Sequence, residues 1–304
     1  MKIGVIGLGK VGANMVYSLY RAGETPAGIY SRDHEKAGRI LKKLRILTKT
    51  DLYETVAASD TVLIAVSDNA VSDVAHDVAG MFDVTDTDED MPLSGKTFMH
   101  MSGSLPSTLL QPLKDLGASV GSMHPIQTFN TDMEVPDIFR GICFGVEGDK
   151  DAVSKAEYIA DMFESAVSEI DTEGKPYYHM ACCFASNYLC VLLDIVGRLL
   201  NKAGFNEYFG SEALGPLIEQ TVINVFETYS GDALTGPIAR GDDKTVRKHI
   251  EALNAYPRSL ADIKGAYQLL GLYALGMGFD NGNFDQSVYY KLYDAIMETD
   301  NDTE

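Results

Sequence analysis

Short apolar runs alternate with stretches in which apolar residues return every three or four positions, and this alternation continues to about residue 170. An apolar strand opens at residue 2, and Ala13, Met15, Val16, Leu19 and Tyr20 follow it at helical spacing. A second apolar run ends near Tyr30. Residues 61–66 are continuously apolar, as expected of a parallel strand buried on both faces. Further strands are predicted over 96–101, 118–123, 142–146 and 166–170, with helices over 107–116 and 152–165. Such alternation predicts an α/β fold, a doubly wound and mostly parallel sheet that binds ligands at the carboxyl ends of its strands.

The pattern changes at Gly174-Lys175-Pro176. Beyond it only helical periods recur: a long, mostly apolar one over 177–202, then others near 211–229, 242–255, 258–276 and 284–298. Pro176 is placed to open the long helix and Gly204 to close it. Two domains are therefore expected, an α/β domain over 1–174 and an all-helical domain over 175–304. A helix apolar on most sides is buried in its own domain or against a second subunit, and a homodimer is the expectation.

The turn after the first strand reads Gly7-x-Gly9-x-x-Gly12, and strand, turn, helix and second strand all fall within the first 30 residues. That context marks a dinucleotide-binding unit. Gly7 permits a tight turn, Gly9 admits a pyrophosphate against the backbone, and Gly12 lets helix and strand pack closely. Lys10 and Val11 lie at the helix start, where free N–H groups and the helix dipole favour an anion. NAD-binding units usually end the second strand on an acid that accepts from the ribose 2′-OH. This chain has Ser31-Arg32 instead, with Lys36 one turn on. A hydroxyl beside a guanidinium suits a 2′-phosphate, so the expected cofactor is NADP(H) and residues 1–174 are read as an NADP-binding Rossmann-like domain.

Composition narrows the partners. A net charge of −19 over 304 residues opposes binding to nucleic acid or anionic membranes. Much of the excess lies in 83–90 and 298–304, which read as a solvated loop and a frayed end. The first strand begins at residue 2 with no signal peptide before it, and no apolar run is read as reaching the ~18 residues of a membrane span. Four cysteines without framework spacing fit a reducing cytoplasm.

Hydride transfer to a carbonyl or imine needs a nicotinamide, a proton donor and a group that fixes the substrate's polar end. Ser67-Asp68-Asn69 and Ser102-Gly103-Ser104 follow two central strands, so Ser67, Asp68 and Ser102 are candidates for the ribose and carboxamide. His124, held by Pro125 at a strand end, is a candidate for the reaction centre. In the long helix His179, Cys183, Ser186, Asn187 and Cys190 are three and four residues apart and are expected to share a face. His179 there suits a proton donor and Asn187 a substrate contact, whereas a zinc site lacks a loop-borne Cys pair, so no metal is expected. Thr235 and Arg240, around the Gly236-Pro237 turn, are candidates for a carboxylate, against the alternative of a helix break capped by Asp242.

Taken together, the Rossmann unit, Gly121-Ser122-Met123-His124-Pro125-Ile126-Gln127-Thr128-Phe129, His179 with Ala185-Ser186-Asn187, and the stretch 233–242 resemble the "Rossmann-like and DUF2520" predicted oxidoreductases. That family sits in the 6-phosphogluconate-dehydrogenase-like group, with β-hydroxyacid dehydrogenases, ketopantoate reductases and pyrroline-5-carboxylate reductases. The resemblance spans nearly the whole chain and implies an NADPH-dependent reductase of a small 2-oxo acid, with 2-dehydropantoate as first candidate. One departure stands out. In β-hydroxyacid dehydrogenases and ketopantoate reductases a catalytic Lys precedes the helix Asn by four residues; here Asn187 is matched but the Lys position is Cys183. His179 or His124 is then the expected proton donor. Imine reduction of the pyrroline-5-carboxylate kind, which needs less acid assistance, is the enzymatic alternative, and a dinucleotide-binding redox sensor the non-enzymatic one.

Overall fold

The computed structural model describes residues 1–82, 91–205 and 209–298, so the acidic segment 83–90 and the end 299–304 lie outside the described residues. The chain divides into two compact units, Met1–Tyr188 and Leu189–Glu304.

The first unit is a seven-stranded sheet in the order β2-β1-β3-β4-β5-β6-β7. Its strands are β1 (Ile3–Ile6), β2 (Gly28–Tyr30), β3 (Thr61–Ile64), β4 (Thr97–His100), β5 (Ser119–Pro125), β6 (Cys143–Gly148) and β7 (Ala166–Glu169). Every pairing is parallel except β5 with β6. β1, β3 and β4 are buried at every position, because helices cover both faces of the sheet. Those helices are α1 (Lys10–Arg21), α2 (His34–Leu44), α3 (Leu52–Ala57), α4 (Asp68–Phe82), α5 (Gln111–Lys114) and α6 (Lys150–Asp161). The apolar core forms one cluster on each face. The sheet order reverses direction at β1 and β3, and ligands of open α/β sheets bind at such a switch.

Three local readings are revised. The segment predicted as one helix over 107–116 is a 3-10 turn, Ser107–Leu110, leading into α5. Pro112 has no N–H to donate to the carbonyl of Thr108, so the α-helix starts only there. β5 runs on to Pro125, because its antiparallel pairing with β6 continues through His124↔Gly145 and Pro125↔Phe144. His124 is thus a strand residue and does not follow the strand. The long helix is not regular: α7 (Lys175–Cys183) passes through a π-helical turn, Phe184–Tyr188, before α8 (Leu189–Lys202).

In the second unit α8 is followed by α9 (Phe209–Glu227), α10 (Ser230–Ala233), α11 (Asp243–Asn254), α12 (Ala261–Asp280) and α13 (Gln286–Met297). Its buried core is small, with Val246, Leu275, Leu292, Ala295 and Ile296 in one cluster. No residue of α8 is buried. The helical stretch Thr172–Lys202 also corrects the reading of membrane-span length: by length and composition it is long and apolar enough to cross a bilayer, with mean hydropathy 1.7 over its most apolar window. His179, Ser186 and Asn187 interrupt the apolar run with polar side chains, which is why it does not stand out as a span.

Candidate functional site

The glycine turn adopts the geometry its spacing implies. Gly7 has φ +92°, a left-handed conformation that glycine tolerates without strain, and its N–H donates to the Tyr30 carbonyl at 2.7 Å. A Cβ on Gly12 would collide with the Gly7 carbonyl oxygen, so the close crossing of helix and turn requires glycine there. A Cβ on Gly9 would meet open space. The chain itself therefore sets no limit on the side chain at Gly9. No side chain caps the N-terminus of α1, and the N–H groups of its first turn are left for a ligand.

A cavity of about 350 Å³ opens beside this turn, lined by Gly7, Gly9, Ser31, Arg32, Ser67 and Asp73 among others. Arg32 is exposed, and its guanidinium has no hydrogen-bond or ion-pair partner among the described residues. Ser31 Oγ accepts from the Asp33 N–H at 3.1 Å, and Asp33 in turn caps α2. Lys36 departs from the expectation: it is ion-paired with Asp132. The loop that carries Asp132 is tied down by Asn14, which donates to the Thr131 carbonyl and accepts from the Val135 N–H. Lys10 is exposed, whereas the Val11 side chain packs into the core, so only its backbone can face an anion.

The loops after β3 and β4 are joined. Ser104 Oγ donates to Asp68 at 2.9 Å. Ser102 is nearly buried, and its Oγ accepts from the N–H groups of Ser104 and Leu105 at 3.3 Å. Ser102 therefore shapes its own turn, whereas Ser67 is exposed and lines the cavity.

A second constellation lies where β4, β5 and β6 meet α7. Nδ1 of His124 is 2.6 Å from the Tyr178 hydroxyl, and the His124 and His179 rings are 6.5 Å apart. Burial, with His179 and Lys175 nearby, lowers the His124 pKa to about 4. Burial first, and then Cys182, pushes the Tyr178 phenol up, so it keeps its proton while hydrogen-bonded to Nδ1. Nε2 of His124 has no partner among the described residues. A Cβ on Gly103 would come within 2.9 Å of the His124 ring, and one on Gly145 within 2.6 Å of the Tyr178 hydroxyl; both glycines make room for this pair.

Beneath it is a buried ion pair that the sequence reading passed over. Lys175 is 1% exposed; its Nζ donates to Ser122 Oγ at 2.6 Å and is 3.8 Å from Glu147. Glu147, also buried, accepts from Ser107 N–H and Oγ and from Thr172 Oγ1. Burial alone would raise this carboxyl, but the Ser107 and Thr172 hydrogen bonds and the nearby ammonium carry it below the usual range. Burial lowers the Lys175 ammonium, against the pull of Glu147. His100, fully buried, takes its pKa to about 4 through burial and the Lys175 charge, and sits between the Ser102 N–H and the Pro106 carbonyl as a neutral ring. The signal available in the sequence was Lys175 at the first position of a helix; its acid lies on β6, with α6 and β7 between them in the chain, and only tertiary pairing joins them.

The expected common face of the long helix holds for one pair and is broken after it. Cys183 Sγ is 3.9 Å from His179 Nδ1. The π turn begins at the next residue, and its wider spacing takes Asn187 and Cys190 out of α-helical register. Asn187 is exposed with its amide unpaired among the described residues. In the second unit Thr235 and Arg240 are exposed, and Asp242 caps α11 by accepting from the Thr245 N–H at 3.1 Å.

Residues 1–125 match the Rossmann-like domain, and residues 142–274 match a domain of unknown function, DUF2520. No curated protein matches. A protein from Bacteroides fragilis, provisionally named an NADP oxidoreductase, superimposes with TM-score 0.65 at 25% identity over 91% of this chain and 97% of its own. A protein from Thermotoga maritima does so with TM-score 0.68 at 22% identity, over 92% and 99% of the two chains. A reductive aminase from Aspergillus terreus, bound to NADPH and ethyl levulinate, has TM-score 0.59 at 16% identity, over 96% and 98%.

Proposed function

We propose that this chain, which joins a Rossmann-like domain to a DUF2520 domain, is an NADP(H)-dependent oxidoreductase that reduces the carbonyl of a small 2-oxo acid, with 2-dehydropantoate as first candidate. The observation that carries the reading is the cleft at β1 and β2: an uncapped helix N-terminus, an empty side-chain position at Gly9 and the unpartnered guanidinium of Arg32 beside Ser31. In a chain of net charge −19, that guanidinium is a local feature and suits a 2′-phosphate. Gly7, Gly9, Gly12 and the backbone of Lys10 and Val11 would hold the pyrophosphate, with Ser67 near a ribose. NADPH, when bound, supplies the hydride.

The chain's own residues supply the rest. Tyr178 holds the His124 ring so that its Nε2–H polarises the substrate oxygen. Because burial keeps His124 neutral near pH 7, the proton is assigned to His179, the other candidate. Asn187 orients the carbonyl.

Imine reduction is the second reading, favoured by a specific observation: Cys183 and two neutral histidines offer weak acid assistance, and a protonated imine needs little. NADPH oxidation by the purified protein, measured on 2-dehydropantoate, other branched 2-oxo acids and pyrroline-5-carboxylate, separates the two. Saturable turnover confined to the oxo acids supports the first reading, and turnover confined to the imine supports the second. Tight NADPH binding without turnover on either would move the reading to a redox sensor.

The same reading includes a homodimer built on the helical unit. Phe226 is 86% exposed, Tyr273 75% and Leu269 71%, and α8 buries nothing within the chain. A second copy covers such a surface without the charge penalty a bilayer would impose on Asp194 and Arg198. Light scattering of the purified chain gives a dimer mass if this holds and a monomer or lipid-dependent particle if it does not. Four free cysteines accord with a reducing cytoplasm.

A further inference from the structure

Two hydrogen bonds tie α7 to β5 as parallel rungs. Lys175 donates to Ser122 at 2.6 Å, and Tyr178 meets His124 at 2.6 Å. Lys175 and Tyr178 are three residues apart and share a face of the helix; Ser122 and His124 are two apart and share a face of the strand. The lower rung is anchored again across the sheet, since Ser122 is directly opposite Glu147 in the β5–β6 register. The upper rung exists because the residue opposite His124 is Gly145, whose missing side chain leaves the space that the Tyr178 hydroxyl fills.

We propose that Lys175 is a positioning residue of the reductase site: its buried ammonium, bound to Ser122 and Glu147, locks α7 against β5 and thereby holds the His124–Tyr178 pair and the neighbouring His179 in place. This rests on the reductase reading above for its purpose, though not for its geometry. A buried ion pair is costly to build and is weak evidence of stability by itself. A small apolar pair would fill the same space, whereas only a cation also acts on the rings around it. The charged and titratable groups facing His124 are Lys175, Tyr178 and His179 on α7, His100 on β4 and Asp68 at the start of α4. Lys175 and the other histidines disfavour a second positive charge there, and Asp68 opposes them. The ammonium thus sets the position of the His124 ring and adds to the burial that keeps it neutral.

The test uses the full chain with Lys175→Met and Glu147→Gln combined, so that neither charge is left buried alone. Histidine ring resonances are followed by NMR across pH, together with the pH profile of kcat. His124 is expected to titrate at higher pH in the double variant than in the wild type, where burial and the neighbouring positive groups hold it low. The acid limb of the kcat profile should move to higher pH with kcat reduced, while NADPH affinity, set in the other cleft, holds. A folded double variant with an unmoved His124 midpoint and an unmoved profile would reduce the pair to a structural clamp and overturn the proposal. Should that variant not fold, Ser122→Ala keeps both charges and removes the rung together with the longer 3.4 Å bond from Ser122 to Glu147. The His124 Nδ1 resonance must then shift, and an unchanged resonance overturns the proposal equally. The ring titration needs no substrate, so a protein silent on every carbonyl and imine would sink the reductase reading without deciding this one.

Discussion

The two constellations of the first unit are built by opposite means. The dinucleotide cleft is made of backbone: a turn at Gly7, an uncapped helix end and a space at Gly9, with one charged side chain at its rim. The site at the end of β5 is made almost wholly of side chains, drawn from β4, β5, β6 and α7 and joined by hydrogen bonds over 25 to 54 residues of sequence. A backbone site tolerates change at most of its side chains but none at its glycines. A side-chain network should respond to each member in graded steps. On the proposed function, cofactor binding rests on the first kind of construction and chemistry on the second.

The sharpest separation comes from His179→Ala. On the proposed mechanism it lowers kcat by roughly 10²–10⁴, the usual scale of a general acid, while NADPH affinity stays put. Steady-state kinetics beside a binding titration read both; an unchanged kcat removes His179 from the mechanism. Gly12→Val is the converse experiment. Its Cβ meets the Gly7 carbonyl, so the turn must open, at a cost of about 2–3 kcal/mol in stability together with lost NADPH binding. Thermal unfolding with and without NADPH shows both effects, and a variant still stabilised by NADPH would contradict the assignment of the turn. Arg32→Ala should weaken NADPH by about 10- to 100-fold, the worth of a charged hydrogen bond, and leave NADH untouched. Equal losses for both cofactors would dissociate Arg32 from the 2′-phosphate.

Two smaller effects probe the side-chain site. His100 and His124 are both held near pKa 4 by burial, below the unfolded value of 6.5. Between those values the unfolded chain binds protons that the folded one refuses, so their contribution to stability is present above pH 6.5 and lost as pH falls towards 4. Thermal unfolding from pH 7 down to pH 5 should show a falling Tm, with a gentler slope in His100→Gln; identical slopes would mean that these rings are not the cause. Gly145→Ala should displace Tyr178 from His124 and lower kcat modestly with little change in NADPH affinity, a split that kinetics at saturating cofactor would reveal.

The same contrast explains what could be read in advance. The glycine turn depends on residues within one βαβ unit, and the strands that flank it are uniform apolar runs, so both are legible from spacing alone. Ser31-Arg32 is likewise local to the end of β2. Lys36 shows the limit: its ion pair is with Asp132, on a loop almost a hundred residues away, and nothing in its own neighbourhood announces it. Lys175 and Glu147 fail in the same way, since each alone reads as a surface charge and only the packing of α7 on β5 and β6 buries them together. The helix face drawn through Cys190 assumed unbroken α-helical spacing, and the π turn at Phe184–Tyr188 cannot be inferred from periodicity, because its residues are ordinary helix residues. Ser102 looked free for a ribose, yet it serves the N–H groups of its own turn.

The account stands most directly on whether hydride leaves NADPH for a substrate carbon in this protein. The measurement is turnover with NADPH deuterated at the nicotinamide C4, with mass analysis of the product from 2-dehydropantoate and from pyrroline-5-carboxylate. Deuterium at the former carbonyl or imine carbon, appearing roughly 10²–10⁴-fold more slowly in His179→Ala and modestly more slowly in Gly145→Ala, is the predicted result. Bound NADPH that is never consumed, or deuterium transfer indifferent to His179, would contradict it.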